Sequence, residues 1–351
     1  MHGGDIYRNK VYTDFSVNIN PLGIPDQVRE AMEEAVNNAQ AYPDGQCEEL
    51  RDKLALRYHV AKENVLCGNG ASELIYAICR WKRARKALLL APGFSGYRRA
   101  LRAQECKITS FYLRKTEDFG LTPERVLELQ ETIRKGSFDI FFLTNPANPT
   151  GSLTARDQVC MLATACEESG TLMVVDECFM ELTPNPLEYS MTGEMGSFPN
   201  MIVLRAFTKT YAIPGIRLGY LLCGDEKKVS GISLQLPEWN VSLPAQAAGN
   251  IALEQEEYLE TSREFIKSQR DYLAQGLRNL EAVVYSSSAN FILFQWKDEL
   301  LYEKLLSQGI LIRDCSDFEG LGKGYFRIAV KNRRQNEWLL QSLRALCDAK
   351  K

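Results

Sequence analysis

Histidine is scarce in this sequence, with two residues in 351, and ten cysteines occur without C-x-x-C pairs or a repeated spacing. That pattern excludes a zinc centre and a disulfide framework, and leaves the thiols as small buried apolar side chains. Charge of one sign is missing too. A formal net charge of -3 gives no field to hold nucleic acid or an anionic membrane. No apolar run approaches the roughly 20 residues that a bilayer span needs, and the opening M-H-G-G-D-I-Y lacks an apolar leader core, so the protein is expected in the cytoplasm. Repeats, low-complexity tracts and Gly/Ser/Pro linkers are absent as well.

What is present is an apolar content of 45%, enough for a large core arranged as one large and one small domain or as two interleaved ones. Strands alternating with helices through residues 60–225 predict an α/β fold with a mostly parallel sheet, and the shorter strands after residue 290 a small α+β domain. The expected division is an N-terminal arm at 1–41, a large domain at 42–240 and a small domain at 241–351, the proline-bounded P-E-W-N-V-S-L-P-A-Q (Pro237 to Gln246) marking the join.

The chain is organised around R-A-F-T-K-T-Y-A-I-P-G-I-R-L-G-Y, Arg205 to Tyr220. An apolar strand, Met201 to Phe207, delivers Lys209 onto a turn that Pro214 and Gly215 keep from becoming a long helix. A lysine at the mouth of a sheet can form a Schiff base with a carbonyl cofactor if its surroundings favour the neutral amine, and Arg217 is placed to hold an anion nearby. The bland alternative is a solvated loop lysine and a surface arginine.

Other segments add groups of matching chemistry. Gly70, Ala71 and Ser72 leave backbone N–H groups free at a helix start, a phosphate cradle or mere capping. Phe94 follows a buried strand at the end where open α/β sheets place ligands. N-P-A-N-P-T-G presents the Asn148 amide on a backbone constrained by two prolines. Asp176 ends an apolar strand, so it needs a cationic partner or caps the next helix. In D-F-S-V-N-I-N-P-L-G, Phe15, Val17 and Ile19 alternate with Ser16, Asn18 and Asn20, giving an arm with one polar edge or a self-capping polar turn. Arg327 interrupts an apolar strand, to be buried opposite an acid or left free for an anion.

The lysine stretch resembles the signature of the fold-type-I pyridoxal-phosphate enzymes, in the aminotransferase class I and II group. The H-G-G start, the D-F-S-V-N-I-N-P-L-G segment and Ile312 to Arg327 resemble the threonine-phosphate decarboxylases of cobalamin synthesis, a branch close to histidinol-phosphate aminotransferases. The resemblance covers nearly the whole chain. It implies pyridoxal phosphate carried on Lys209, its phosphate held by Arg217, by the Gly70–Ala71–Ser72 turn with Thr208, and by Tyr42 from the neighbouring subunit of a homodimer. It further implies Phe94 stacked on the ring, Asn148 on the phenolic oxygen and Asp176 on the ring nitrogen. His2, Ser16, Asn18, Asn20, Asn148, Arg313 and Arg327 would face a small phosphorylated amino acid, with the two arginines taking its carboxylate and phosphate. Two departures stand out: Ala206 where many relatives carry a hydroxyl, and Phe179 where histidinol-phosphate aminotransferases usually carry tyrosine. The implied reaction is decarboxylation of L-threonine O-3-phosphate. A related aminotransferase, preference for serine phosphate, and a non-catalytic protein that kept the fold are the alternatives.

Overall fold

The apolar runs of residues 60–225 become the strands of one sheet because they are buried on both faces. In the computed structural model, which describes residues 3–348, the strands are β1 (Thr13–Asp14), β2 (Val65–Gly68), β3 (Lys86–Ala91), β4 (Lys107–Tyr112), β5 (Ile140–Thr144), β6 (Leu172–Asp176), β7 (Met201–Ala206), β8 (Gly219–Cys223), β9 (Val283–Val284), β10 (Phe291–Gln295), β11 (Ile310–Leu311), β12 (Arg313–Asp314) and β13 (Tyr325–Ala329). Seven of them form the large sheet in the order β2-β8-β7-β6-β5-β3-β4, and within it only β8 runs against its neighbours. Alternate side chains feed two cores. Met173, Val175, Met201 and Val203 pack on one face, while Leu172, Val174, Ile202 and Leu204 pack on the other.

Parallel pairing brings the carboxyl ends of β2, β3, β5, β6 and β7 to a single edge, where such sheets hold ligands. Thr144, the last residue of β5, is directly beside Asp176, the last residue of β6. The chain continues from these ends into Gly70, Phe94, Asn148 and Lys209.

The smaller part is an antiparallel sheet, β12-β13-β10-β9, with β1 paired in parallel to β11. Phe15 joins Phe294, Phe326 and Leu339 in its core. The packing does not change over at residue 240. The helix Leu243–Ala252 buries Ala245, Ala248 and Ala252 in the large core, because its small side chains admit the helix Asp26–Val36, whose Val28 and Met32 lie in the same core. The changeover falls inside the long helix Glu256–Asn279, where Leu259 belongs to the large core and Leu273 and Leu277 to the small one. The first forty residues are therefore shared, arm to the small part and helix to the large.

Candidate active site

Lys209 sits in a four-residue helix, Phe207–Thr210, that Pro214 and Gly215 do not allow to continue. Its amine faces a cavity of ≈ 250 Å³ whose walls include Ser72, Phe94, Asn148, Asp176, Thr208, Arg217 and Arg327. Burial first, with Arg327 and Arg217 adding to it, pulls the amine down to about 8. The neutral amine is thus far more populated near physiological pH than in a free lysine, which favours a nucleophilic role.

The anion cradle is built at the start of the helix Ala71–Lys82. Gly70, at φ +76°, precedes it, and a Cβ there would lie 2.5 Å from Arg217 Nη2. Only glycine leaves the guanidinium room to lie over the helix start. Arg217 Nη1 donates to the Pro214 carbonyl at 3.1 Å. Among the described residues Lys209, Arg217 and Arg327 have no salt bridge to a carboxylate, so three basic groups converge on one buried space without an ion-pair partner in contact with them. An anion, or an anionic cofactor and substrate together, would complete it.

Asp176 is 6% exposed and has both oxygens engaged by neutral donors. Tyr97 Oη donates to Oδ2 at 2.6 Å and the Cys178 N–H to Oδ1 at 3.0 Å. Tyr97 also meets Thr144 Oγ1 at 2.9 Å and stacks on Phe142, which fixes the carboxylate from behind. The Cys178 contact is a local turn, and no α-helix begins there for Asp176 to cap. No cation touches the carboxylate among the described residues, although it lines the same cavity as Lys209. An aromatic N–H⁺ would supply one.

The arm closes the cavity from the small part, with its alternation turned inside out. Ser16, Asn18 and Asn20 are buried, at 1–3% exposure, while Val17 and Ile19 are only half-buried. Asn18 faces the cavity, and its Oδ1 is buried with no hydrogen-bond partner. Ser16 also lines the cavity. Its hydroxyl donates to Asp14 and accepts from the Gly4 N–H, and its carbonyl accepts from Arg327 Nη2 at 2.9 Å. Asn20, expected against substrate, points elsewhere. Its amide donates to the Thr210 carbonyl at 2.9 Å and to Ser262 at 2.8 Å, and its backbone N–H to the Lys209 carbonyl at 3.0 Å. The lysine turn offers unpaired carbonyls and Asn20 satisfies them, so it braces the lysine instead of lining the cavity.

Arg327 also bonds the Asn148 side-chain oxygen, its Nε is buried without a partner, and burial draws it down to about 10. Arg313 lines the cavity but is held at Nη2 by both oxygens of Asp317, at 2.7 and 3.0 Å. Phe94 lies edge-on to Tyr97 at the cavity wall, and Phe179 packs against Phe291. Ala71 and Thr208 line the cavity with them. Tyr42 does not: it is exposed and lies against Trp239 with ring centroids 4.5 Å apart. His2 lies outside the described residues. Tyr97, Cys178 and Asp317 escaped the sequence reading. The one available signal was Tyr97 standing three residues after Phe94, one helical turn on.

The chemistry of these groups fits pyridoxal phosphate: an amine for its aldehyde, N–H groups and a guanidinium for its phosphate, an unpaired carboxylate for its ring nitrogen. Among the described residues no group of His, Cys, Asp and Glu side chains could hold a metal ion, and no described helix is long and apolar enough to cross a membrane.

Residues 10–343 match the family model described as aminotransferase class I and II. A threonine-phosphate decarboxylase of Salmonella typhimurium is 34% identical over 334 residues, covering 94% of this chain and 90% of that protein. The crystal structure of a histidinol-phosphate aminotransferase from Clostridium acetobutylicum aligns at a TM-score of 0.86 and 28% identity, over 95% of this chain and 98% of that one. A histidinol-phosphate aminotransferase from Sinorhizobium meliloti, in complex with pyridoxal-5'-phosphate, shares the fold at a TM-score of 0.84 and 21% identity, over 96% and 92% of the two chains. The matches run through the sheet, the small part and every strand end that feeds the cavity, and the chain belongs to the aminotransferase class I and II family.

Proposed function

We propose that this chain is a pyridoxal-phosphate-dependent decarboxylase that converts L-threonine O-3-phosphate into carbon dioxide and (R)-1-amino-2-propanol O-2-phosphate, a step of cobalamin nucleotide-loop synthesis carried out in the cytoplasm. The observation that carries the reading is the convergence of Lys209, Arg217 and Arg327 on one cavity with no carboxylate against them. The relation to the Salmonella decarboxylase supports the choice of reaction.

Lys209 would hold the cofactor's aldehyde, the Gly70–Ser72 turn with Thr208 and Arg217 its phosphate, Asn148 its phenolic oxygen and Asp176 its ring nitrogen. Bound there, pyridoxal phosphate supplies an electron sink for the bond broken at the substrate α-carbon. Asp176, held by Tyr97, would face the ring nitrogen and favour its protonated form. Arg327 takes the substrate carboxylate, and its neutral partners Asn148 and Ser16 orient the fork without cancelling its charge. Asn18 offers a buried acceptor for a donor on the substrate. Lys209 Nζ returns a proton to the α-carbon after carbon dioxide leaves, which its lowered pKa permits. Phe179 brings no hydroxyl to the cofactor, a departure from the aminotransferase pattern. In a homodimer the exposed Tyr42 would reach the second copy of the chain and help hold the cofactor phosphate of the neighbouring site.

The test is to incubate the pyridoxal-phosphate-loaded protein with L-threonine O-3-phosphate and no oxo acid, following carbon dioxide and the amine by mass spectrometry. Equal amounts of both products over many turnovers are expected. Absence of carbon dioxide, with histidinol phosphate converted to the corresponding ketone, an imidazolyl 2-oxopropyl phosphate, and glutamate formed once 2-oxoglutarate is added, would replace decarboxylation by amino transfer.

A further inference from the structure

The two arginines that face the cavity from the small part differ in charge balance. Arg327 has only neutral acceptors, whereas Arg313 gives Nη2 to both oxygens of Asp317 and lies with its guanidinium carbon 5.0 Å from the centre of the Phe318 ring. The loop carrying Asp317 is fixed from its other side. Glu319 accepts from Ser110 at 2.8 Å, from Tyr112 at 2.7 Å and from Arg98, all on the large part. Gly320, at φ +88°, carries the loop past the Ala91–Pro92 backbone. Asp317 is therefore anchored beside Arg313 by its neighbours and does not simply leave when another anion arrives.

A phosphate dianion reaching Arg313 meets a carboxylate already seated on the fork. We infer that Asp317 is a specificity-determining residue: it competes with the substrate's phosphate for Arg313 and sets how strongly the enzyme prefers phosphorylated over unphosphorylated substrate. The inference rests on the reading that the substrate carries a phosphate to this end of the cavity. Phosphate affinity is held below what two uncompensated guanidinium groups would give, and release of a phosphorylated product is eased accordingly.

The experiment compares holoenzyme of the wild type, Asp317→Asn, Arg313→Ala and the double variant. It measures KM and kcat for L-threonine O-3-phosphate and, by calorimetry, the Kd of inorganic phosphate. Asparagine keeps the shape and an acceptor oxygen while removing the charge. Asp317→Asn is expected to lower KM and the phosphate Kd by about tenfold with kcat changed less than KM, and to have no effect on either constant when Arg313 is alanine. Unchanged or weaker phosphate binding in Asp317→Asn would overturn the inference, since a residue that merely positions Arg313 gives that result. An equal gain in the Arg313→Ala background would overturn it as well. If the wild type releases no carbon dioxide, the decarboxylase reading fails on its own, and the phosphate Kd still decides the role of Asp317.

Discussion

Arg205 and Lys209 are four residues apart at the end of one strand, both are buried basic groups, and their surroundings are opposite. Arg205 is bonded to Glu177 at 2.6 Å, to Glu181 at 2.7 Å and to Ser190 at 2.8 Å, on the side of the sheet closed by Tyr58 and Tyr220. Lys209 has no carboxylate against it and lies near two further cations. Burying a charge is costly unless it is paired. The first residue meets that condition within the fold, and the second leaves it to be met by a ligand. Buried charge by itself does not mark a site; buried charge that the protein leaves uncompensated does.

The contrast can be broken most severely at the lysine. Lys209→Met is expected to abolish product formation by several orders of magnitude while the cofactor-free protein stays folded. The same variant sharpens the pH behaviour. Lys209 is lowered from 10.5 to about 8 in the folded state, so between those values the unfolded chain binds more protons, and the cofactor-free protein gains stability as pH rises through that window. Chemical denaturation at pH 8 and pH 10 should show this gain in the wild type and less of it in Lys209→Met. On the paired side, Arg205→Leu strands Glu177 and Glu181 and should cost about 3–5 kcal/mol of stability, read from denaturant midpoints. Arg217→Ala removes a charge-assisted contact to the cofactor phosphate, and dialysis should show pyridoxal phosphate held about 10- to 100-fold less tightly. The smallest change is Tyr97→Phe, which takes one donor from Asp176. About 1.5 kcal/mol of stability should be lost, with a shift in the pH dependence of the cofactor absorbance.

Much of this site was legible because its residues sit where strands end, and prolines and glycines punctuate those ends. Asn148 between two Asn-Pro bonds, Gly70 ahead of a helix and Lys209 ahead of Pro214 announce themselves by local backbone chemistry. What needed the fold is pairing. Nothing in the spacing of Arg205, Glu177 and Glu181 distinguishes a compensated cation from a free one, and Arg313 reads as an uncompensated substrate ligand until Asp317 is seen on its fork. The arm shows the same limit. Alternation told which of its residues share a face, but the polar face turned inward because Arg327 and the lysine turn supply partners for it. The helix Leu243–Ala252 went to the large core for a similar reason: its small residues match a helix from the other end of the chain.

That arm also sets a timetable. Thr13 pairs with Ile310, the Phe15 carbonyl accepts from Ala329, and Ser16 receives Arg327 across 311 positions. Residues of the arm can therefore dock only after the strands about 300 positions further along have emerged, and contacts of such sequence separation form late. On the ribosome the large sheet can assemble its lysine, acid and phosphate cradle while the arm waits. Chains halted before residue 310 would carry the machinery for the cofactor and lack the wall that recognises the substrate.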